Sequence, residues 1–164
     1  MNKAAFLDRD GVINKDIGYM WQKENFIWMP SAKETIKLLN HLNYKVIIIT
    51  NQPQISMELC KEEDVINLHN WINIELKKES AHIDDFFYCP HQYTDNCDCR
   101  KPHPKMILEA IKKWNIDKKR SFLIGDIQTD IKAARSAGIS GLKFNKKNLY
   151  TFLLNLILFK GDIK

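Results

Sequence analysis

The sequence lacks any apolar run long enough to cross a membrane. The longest apolar stretch near the C-terminus, Phe152–Phe159, has only eight residues, whereas a membrane-spanning helix needs about 20. The first residues, Met1–Lys3, lead directly into the apolar segment that begins at Ala4, without the apolar core and small-residue cleavage site of a secretory signal. We therefore expect a cytoplasmic protein with no membrane partner.

Internal repeats, low-complexity linkers and long basic blocks are also missing. A chain of 164 residues with 45% apolar composition suits one globular domain, which we expect to span residues 1–164 as a monomer. The net charge of +5 comes mainly from scattered lysines, and the densest basic run is Lys118–Arg120. This pattern is typical of a solvated surface, and its functional interpretation is attraction of a small phosphorylated substrate rather than of nucleic acid.

Cysteine is scarce, yet three of the four cysteines lie close together. Cys89, Cys97 and Cys99 share a short polar loop, residues 89–101, with His91. In a cytoplasmic protein such a cluster indicates a metal site more readily than a disulfide, although a redox pair is the competing interpretation. Four nitrogen and sulfur ligands match closed tetrahedral zinc, so we predict a structural zinc ion in this loop.

Apolar periodicity predicts strands and helices that alternate along the chain. Ser31 and Glu34 have the spacing of a capping box and predict the start of the first helix. The alternation predicts an α/β fold, a doubly wound, Rossmann-like parallel sheet flanked by helices. The predicted strands are Ala4–Leu7, Tyr44–Thr50, Asp84–Cys89, Ser121–Gly125 and Gly141–Phe144, and the later helices are 65–76, 107–114, Thr129–Ala137 and, near the C-terminus, Asn148–Lys164.

Polar residues follow the predicted strands where functional loops of such sheets lie. Asp8 and Asp10 follow the first strand, and Asp126 follows the fourth. Clustered carboxylates repel one another without a cation, and oxygen-rich ligation suits Mg²⁺. Thr50, Asn51, Arg100 and Lys101 reach the same edge with donors for a phosphate.

Four segments in this order resemble the motifs of the haloacid dehalogenase-like phosphatases. They are FLDRDGV, IIITNQ, CDCRKPHP and LIGDIQTD, which begin at Phe6, Ile47, Cys97 and Leu123. Within this family, the chain most resembles the small, capless, zinc-containing branch, which acts on D-glycero-D-manno-heptose 1,7-bisphosphate or on histidinol phosphate. It covers about residues 3–145.

The resemblance implies a role for each matching residue. Asp8 is expected to be the nucleophile that forms an aspartyl-phosphate, and Asp10 the acid and base. Asp8, the backbone carbonyl of Asp10 and Asp126 are expected to hold catalytic Mg²⁺. Thr50 and Lys101 are expected to bind the phosphoryl group, with Asn51 and Arg100 beside them. Cys89, His91, Cys97 and Cys99 are expected to bind structural zinc. Asp130 is either a neighbour of the metal site or a stabiliser of the next helix.

The segment after the second motif departs from the pattern of the heptose enzymes. Gln54 and Glu58 stand where glycines are usual, and Met57 where an arginine is usual. We expect removal of the C7 phosphate of heptose 1,7-bisphosphate, with histidinol phosphate or another phosphosugar as the alternative substrate. A zinc-knuckle protein that binds nucleic acid is the non-enzyme alternative, but it leaves Asp8, Asp10 and Asp126 unexplained.

Overall fold

The computed structural model describes residues 1–160 of the protein. Strands and helices alternate as predicted, and the last four residues of the predicted C-terminal helix, 161–164, lie outside the described residues. The strands are β1 (Lys3–Leu7), β2 (Tyr44–Asn51), β3 (Asp85–Cys89), β4 (Phe122–Gly125) and β5 (Ser140–Lys143). The helices are α1 (Ala32–His41), α2 (Glu62–Lys78), α3 (Lys105–Trp114), α4 (Gln128–Ala137) and α5 (Leu149–Lys160).

The five strands form one parallel sheet in the order β3-β2-β1-β4-β5. The first strand is central, because Leu7 pairs with Ile48 of β2 on one side and with Ile124 of β4 on the other. The carboxyl ends of these three strands therefore lie side by side. This arrangement confirms the doubly wound parallel sheet that the sequence predicts.

Alternate residues of the central strand face two separate apolar layers. Ala5 and Leu7 pack with α1, α2 and α5, whereas Ala4 and Phe6 pack with α3 and α4. Both faces are covered, which explains why the inner strands consist of almost continuous apolar residues. Among residues 1–160, no helix is both long and apolar enough to cross a membrane.

The predicted capping box at the start of α1 is wrong. Ser31 has a left-handed backbone, with φ 61°, and its side chain does not cap the helix. Instead, the Ser31 hydroxyl accepts a 3.0 Å hydrogen bond from the Asn148 amide, 117 residues away. A contact between residues far apart in the chain thus overrides the local signal, while the Thr35 hydroxyl donates to the Ser31 carbonyl at 2.6 Å.

Candidate active site

The loops after β1, β2, β3 and β4 surround one cleft of about 230 Å³ at the carboxyl edge of the sheet. The cleft brings together the side chains that the sequence singles out at this edge. It is lined by Asp8, Asp10, Thr50, Asn51, Arg100, Lys101 and Asp126, together with Asp16, Gly18, Tyr19, Gln52, Pro53, Gln54 and Ile127. A larger groove of about 560 Å³ runs beside α2 but contains none of the sheet-edge carboxylates, so its size does not make it the chemical centre.

A buried lysine lies between two buried carboxylates at the base of the cleft. The Lys101 ammonium donates to Asp8 Oδ1 at 2.8 Å and lies 2.7 Å from Asp130 Oδ1. It also donates to the Ile49 carbonyl at 2.8 Å. Asp130 accepts a further bond from the backbone N–H of Ile127 at the start of α4. The sequence left two roles open for Asp130, a neighbour of the metal site or a stabiliser of the next helix. Its contacts with Lys101 and with the Ile127 N–H are consistent with both roles.

Burial and charge shift the pKa values of this group in opposite directions. Burial raises the pKa of Asp8 to about 7, and it does so although Lys101 acts to lower it. Burial alone would lower the pKa of Lys101, but the carboxylates of Asp8 and Asp130 outweigh burial and raise it. The lysine is therefore cationic, and because the pKa of Asp8 is about 7 even beside Lys101, a cation in addition to Lys101 would favour the ionised form of Asp8 at neutral pH.

A second cluster of oxygens is suited to such a cation. One carboxylate oxygen from each of Asp8, Asp126 and Asp130 lies within 4.8 Å of the others. Gly11, with φ +85°, passes so close that a Cβ atom there would collide with the Asp126 carboxylate. Lys146 lies 2.7 Å from Asp126 Oδ2 and supplies positive charge in this structure. Oxygen donors in a narrow, acidic cradle fit Mg²⁺.

Asp10 is fixed by donors from three directions. Its Oδ1 accepts from Asn14 at 2.9 Å and from Arg9 at 3.1 Å, and its Oδ2 accepts from Gln52 at 3.0 Å. Gln52 also donates to the Thr50 hydroxyl at 2.8 Å. The Gln52 amide thus fixes the position of the Asp10 carboxylate, which follows β1, relative to the Thr50 hydroxyl at the end of β2.

The remaining predicted phosphate-binding residues serve different structural purposes. Asn51 accepts from the Lys101 backbone N–H at 3.0 Å and donates to its carbonyl at 3.3 Å. Its amide therefore positions Lys101 through the backbone. Arg100 donates to the His91 carbonyl at 3.1 Å, and it also lines the cleft.

The four predicted zinc ligands converge at one point. One ligand atom each from Cys89, His91, Cys97 and Cys99 lies within 4.8 Å of the others. Cys89 Sγ is 2.9 Å from Cys99 Sγ and 3.5 Å from Cys97 Sγ, and all the cysteines are free thiols. Sulfurs on tetrahedral zinc lie about 3.8 Å apart, so the 3.5 Å separation is close to that spacing. The 2.9 Å separation is shorter than this but longer than an S–S bond of about 2.05 Å. The donor set therefore fits a closed zinc site and not a disulfide.

The loop after β2, whose sequence differs from the pattern of the heptose enzymes, contributes few residues to the cleft. Pro53 and Gln54 line the cleft, but Met57 and Glu58 do not. Gln54 is only 1% exposed and donates to Gln52 Oε1 at 2.6 Å. Glu58 adopts φ 57°, the left-handed backbone that favours the glycine usual at this position.

Sequence reasoning missed five residues that hold the charged side chains of the site: Arg9, Asn14, Gln52, His69 and Lys146. Arg9 and Gln52 lie inside the motifs FLDRDGV and IIITNQ. A charged residue directly after a buried strand, such as Arg9, could have indicated a contact within the site. His69 and Lys146 gave no local signal, because their partners lie 60 and 20 residues away in the chain.

Comparison with known proteins agrees with this geometry. The family model of the haloacid dehalogenase-like hydrolases matches residues 3–138. A Rhodopseudomonas palustris protein named D-glycero-beta-D-manno-heptose-1,7-bisphosphate 7-phosphatase is 42% identical over 94% of this chain and 90% of its own length. A Photorhabdus laumondii protein named as the phosphatase of the alpha anomer is also 42% identical, over 84% of this chain and 79% of its own.

A solved structure shares both the fold and part of the sequence. It is the D,D-heptose 1,7-bisphosphate phosphatase of B. bronchiseptica, complexed with magnesium and phosphate. The two structures superpose with a TM-score of 0.82 at 27% identity, over 93% of this chain and 85% of the other.

Proposed function

Because the chain belongs to the haloacid dehalogenase-like hydrolases, we propose that it removes the C7 phosphate of D-glycero-D-manno-heptose 1,7-bisphosphate. The observation that carries the proposal is the cleft in which Asp8, Lys101 and Asp126 meet at the ends of adjacent strands. Relatives at 42% identity carry the name of this activity. The alternative, a zinc-knuckle protein that binds nucleic acid, would not explain why these carboxylates meet in one cleft.

Asp8 is the proposed nucleophile. Two hydrogen bonds, from Lys101 and from the Arg9 backbone N–H, end on its Oδ1, so Oδ2 is the oxygen that we assign to the attack on phosphorus. The new bond joins Oδ2 to phosphorus while the bond from phosphorus to the sugar oxygen breaks. Asp10 gives a proton to that leaving oxygen.

Hydrolysis of the aspartyl-phosphate restores the enzyme. Asp10, now ionised, takes a proton from a water molecule whose oxygen attacks phosphorus. The phosphorus–Asp8 bond breaks, inorganic phosphate leaves, and Asp8 is a carboxylate again. Lys101, Thr50 and Arg100 neutralise and align the phosphoryl oxygens, which is the main requirement of phosphoryl transfer.

Two metal ions are part of the proposal. Asp8, Asp126 and the backbone carbonyl of Asp10 are assigned to Mg²⁺, which when bound offsets the charge of the carboxylates and the transferring phosphoryl group. Zinc on Cys89, His91, Cys97 and Cys99 is assigned a structural role, because four protein ligands leave no open position for water.

A phosphate-release screen with Mg²⁺ tests the function. Its substrates are both anomers of heptose 1,7-bisphosphate, histidinol phosphate and common sugar phosphates. We expect turnover to be highest with one of the two anomers. A clear preference for histidinol phosphate or another sugar phosphate would overturn the substrate, but not the reaction type.

The nucleophile is tested by Asp8→Asn, which keeps the size of the side chain. We expect no turnover with any substrate of the screen. Asp117→Asn is the matched control, because Asp117 precedes β4 at the opposite edge of the sheet and bonds the Lys119 backbone. Residual turnover in Asp8→Asn above that of a protein-free blank would contradict the mechanism.

A further inference from the structure

An arginine with no access to solvent lies beside the proposed acid. The side chain of Arg9 is 0% exposed, although it stands between Asp8 and Asp10 at the edge of the sheet. Its Nη2 donates to the Met20 carbonyl at 2.8 Å and to Asp10 at 3.0–3.1 Å. A buried guanidinium is costly unless its donors are bonded, and Nε of Arg9 has no hydrogen-bond partner among the described residues. The contacts of Nη1 and Nη2 therefore determine where the guanidinium lies.

The other end of the guanidinium meets a histidine from α2. Arg9 Nη1 lies 3.3 Å from His69 Nε2. His69 is only 4% exposed and stacks on Phe86, with ring centroids 4.4 Å apart and planes inclined by 12°. The Phe86 ring therefore covers one face of the imidazole and restricts its rotation away from Arg9.

The chemistry of this contact determines the state of the histidine. A guanidinium nitrogen can only donate, so His69 Nε2 must accept and the ring proton resides on Nδ1. Burial and then the charge of Arg9 lower the pKa of His69 to about 3. The imidazole is thus a neutral acceptor throughout the neutral pH range, and it cannot repel the arginine.

Arg9, Asn14 and Gln52 all donate to the Asp10 carboxylate. Gln52 is itself anchored by Gln54, which donates to the Met20 carbonyl that Arg9 also uses. The backbone carbonyl of Met20 therefore links Arg9 to Gln52 through Gln54. Of the three donors to Asp10, only Arg9 contacts α2, and it does so through His69.

We propose that His69 is a positioning residue: its neutral imidazole orients Arg9, and Arg9 holds the Asp10 carboxylate towards the leaving oxygen of the substrate. The inference rests on the proposed function, in which Asp10 supplies a proton to that oxygen. His69 itself touches neither the substrate nor Asp10, so its effect on the reaction passes through Arg9 alone.

Two substrates with different leaving groups can distinguish a positioning role of His69 from a merely structural one. A sugar alkoxide needs a proton as it departs, whereas p-nitrophenolate is a good leaving group and needs almost none. Since kcat/KM reports the steps up to formation of the aspartyl-phosphate, a misplaced Asp10 lowers kcat/KM for the sugar phosphate much more than for p-nitrophenyl phosphate. General loss of structure lowers both values equally.

The test compares substitutions at His69 on both substrates, the sugar phosphate being the best one of the screen. His69→Phe keeps the ring on Phe86 but removes the acceptor. We expect kcat/KM for the sugar phosphate to fall about 10- to 100-fold, with less than about a three-fold fall for p-nitrophenyl phosphate. His69→Gln, whose Oε1 replaces Nε2 as acceptor, restores most of the activity.

Ile72→Ala is the matched control for stability, because Ile72 is fully buried on the same helix one turn further on. It lowers the unfolding midpoint but leaves the ratio of the two kcat/KM values unchanged. If His69→Phe does not fold, His69→Asn takes its place, since its acceptor is too short to reach Arg9.

Each outcome has a defined meaning. Equal losses on both substrates, or no rescue by His69→Gln, would overturn the positioning role while the phosphatase activity stands. A folded wild-type protein that hydrolyses no phosphate ester would overturn the proposed function and this inference with it.

Discussion

Removing the charge of Lys101 tests the electrostatics at the base of the cleft. Lys101→Met keeps the length of the side chain and leaves Asp8 and Asp130 buried without their shared cation. Each lysine–carboxylate contact, at 2.7–2.8 Å, has a gross attraction of about 6 kcal/mol at an effective dielectric constant of about 20. Desolvation offsets much of this, and loss of one partner from a buried ion pair costs about 3–5 kcal/mol.

The cost has a definite pH dependence. Asp8 already has a pKa raised to about 7 by burial, and Lys101 is the main influence that lowers it. The variant therefore has a still higher pKa at Asp8, and a group with a raised folded-state pKa loses stability as the pH rises through that value. We expect the deficit of Lys101→Met to be largest near pH 8 and to shrink near pH 5.

Urea unfolding in the presence of EDTA, at both pH values, measures the deficit. Lys105→Met is the matched control, because Lys105 makes an ion pair of similar length with Asp98, at 2.9 Å, but on the surface. An exposed pair contributes about 1 kcal/mol or less. Adding Asp130→Asn to Lys101→Met should recover part of the loss. Equal deficits for the two lysines, or a deficit that does not change with pH, would refute the reasoning.

Two further predictions concern the helix histidine and the cysteine loop. Because burial and then Arg9 lower the pKa of His69 to about 3, the unfolded chain takes up a proton below about pH 6.5 that the folded chain does not. From pH 7.5 to pH 5 the wild type should thus lose about 2 kcal/mol more than His69→Gln in urea unfolding, and parallel curves would contradict this. Cys97→Ala, verified zinc-free by metal analysis, should lower kcat/KM about ten-fold or more, because it frees Arg100, which donates to the carbonyl of the proposed zinc ligand His91. An unchanged kcat/KM would show that the metal does not order the site.

Much of the fold could be predicted because its signals are local and repeated. The run from Tyr44 to Thr50 is largely β-branched and apolar, which is typical of a parallel strand covered on both faces. Gly138, with φ +81°, ends α4 where the sequence places its end. Ser31 shows the limit, since its partner at Asn148 lies too far away in the chain for a local pattern to reveal it.

The site was predictable to the extent that it lies at strand ends. Parallel strands bring their carboxyl ends to one edge, so Asp8, Thr50 and Asp126 meet for topological reasons alone. The supports of Asp10 were not predictable in the same way. Arg9 reaches a histidine on a helix 60 residues further along the chain, and only the packing of α2 against the sheet brings the two together.

The position of Lys101 shows how local and distant constraints combine. Cys89 pairs with Asn51 across β3 and β2, and Asn51 in turn bonds both backbone groups of Lys101. The lysine is thus tied to the sheet even without a metal in the cysteine loop. Arg100 has a different support, since it donates to the carbonyl of His91, itself a proposed zinc ligand. Loss of zinc should therefore displace the arginine more than the lysine, so Cys97→Ala should weaken substrate binding but retain some turnover, unlike Asp8→Asn.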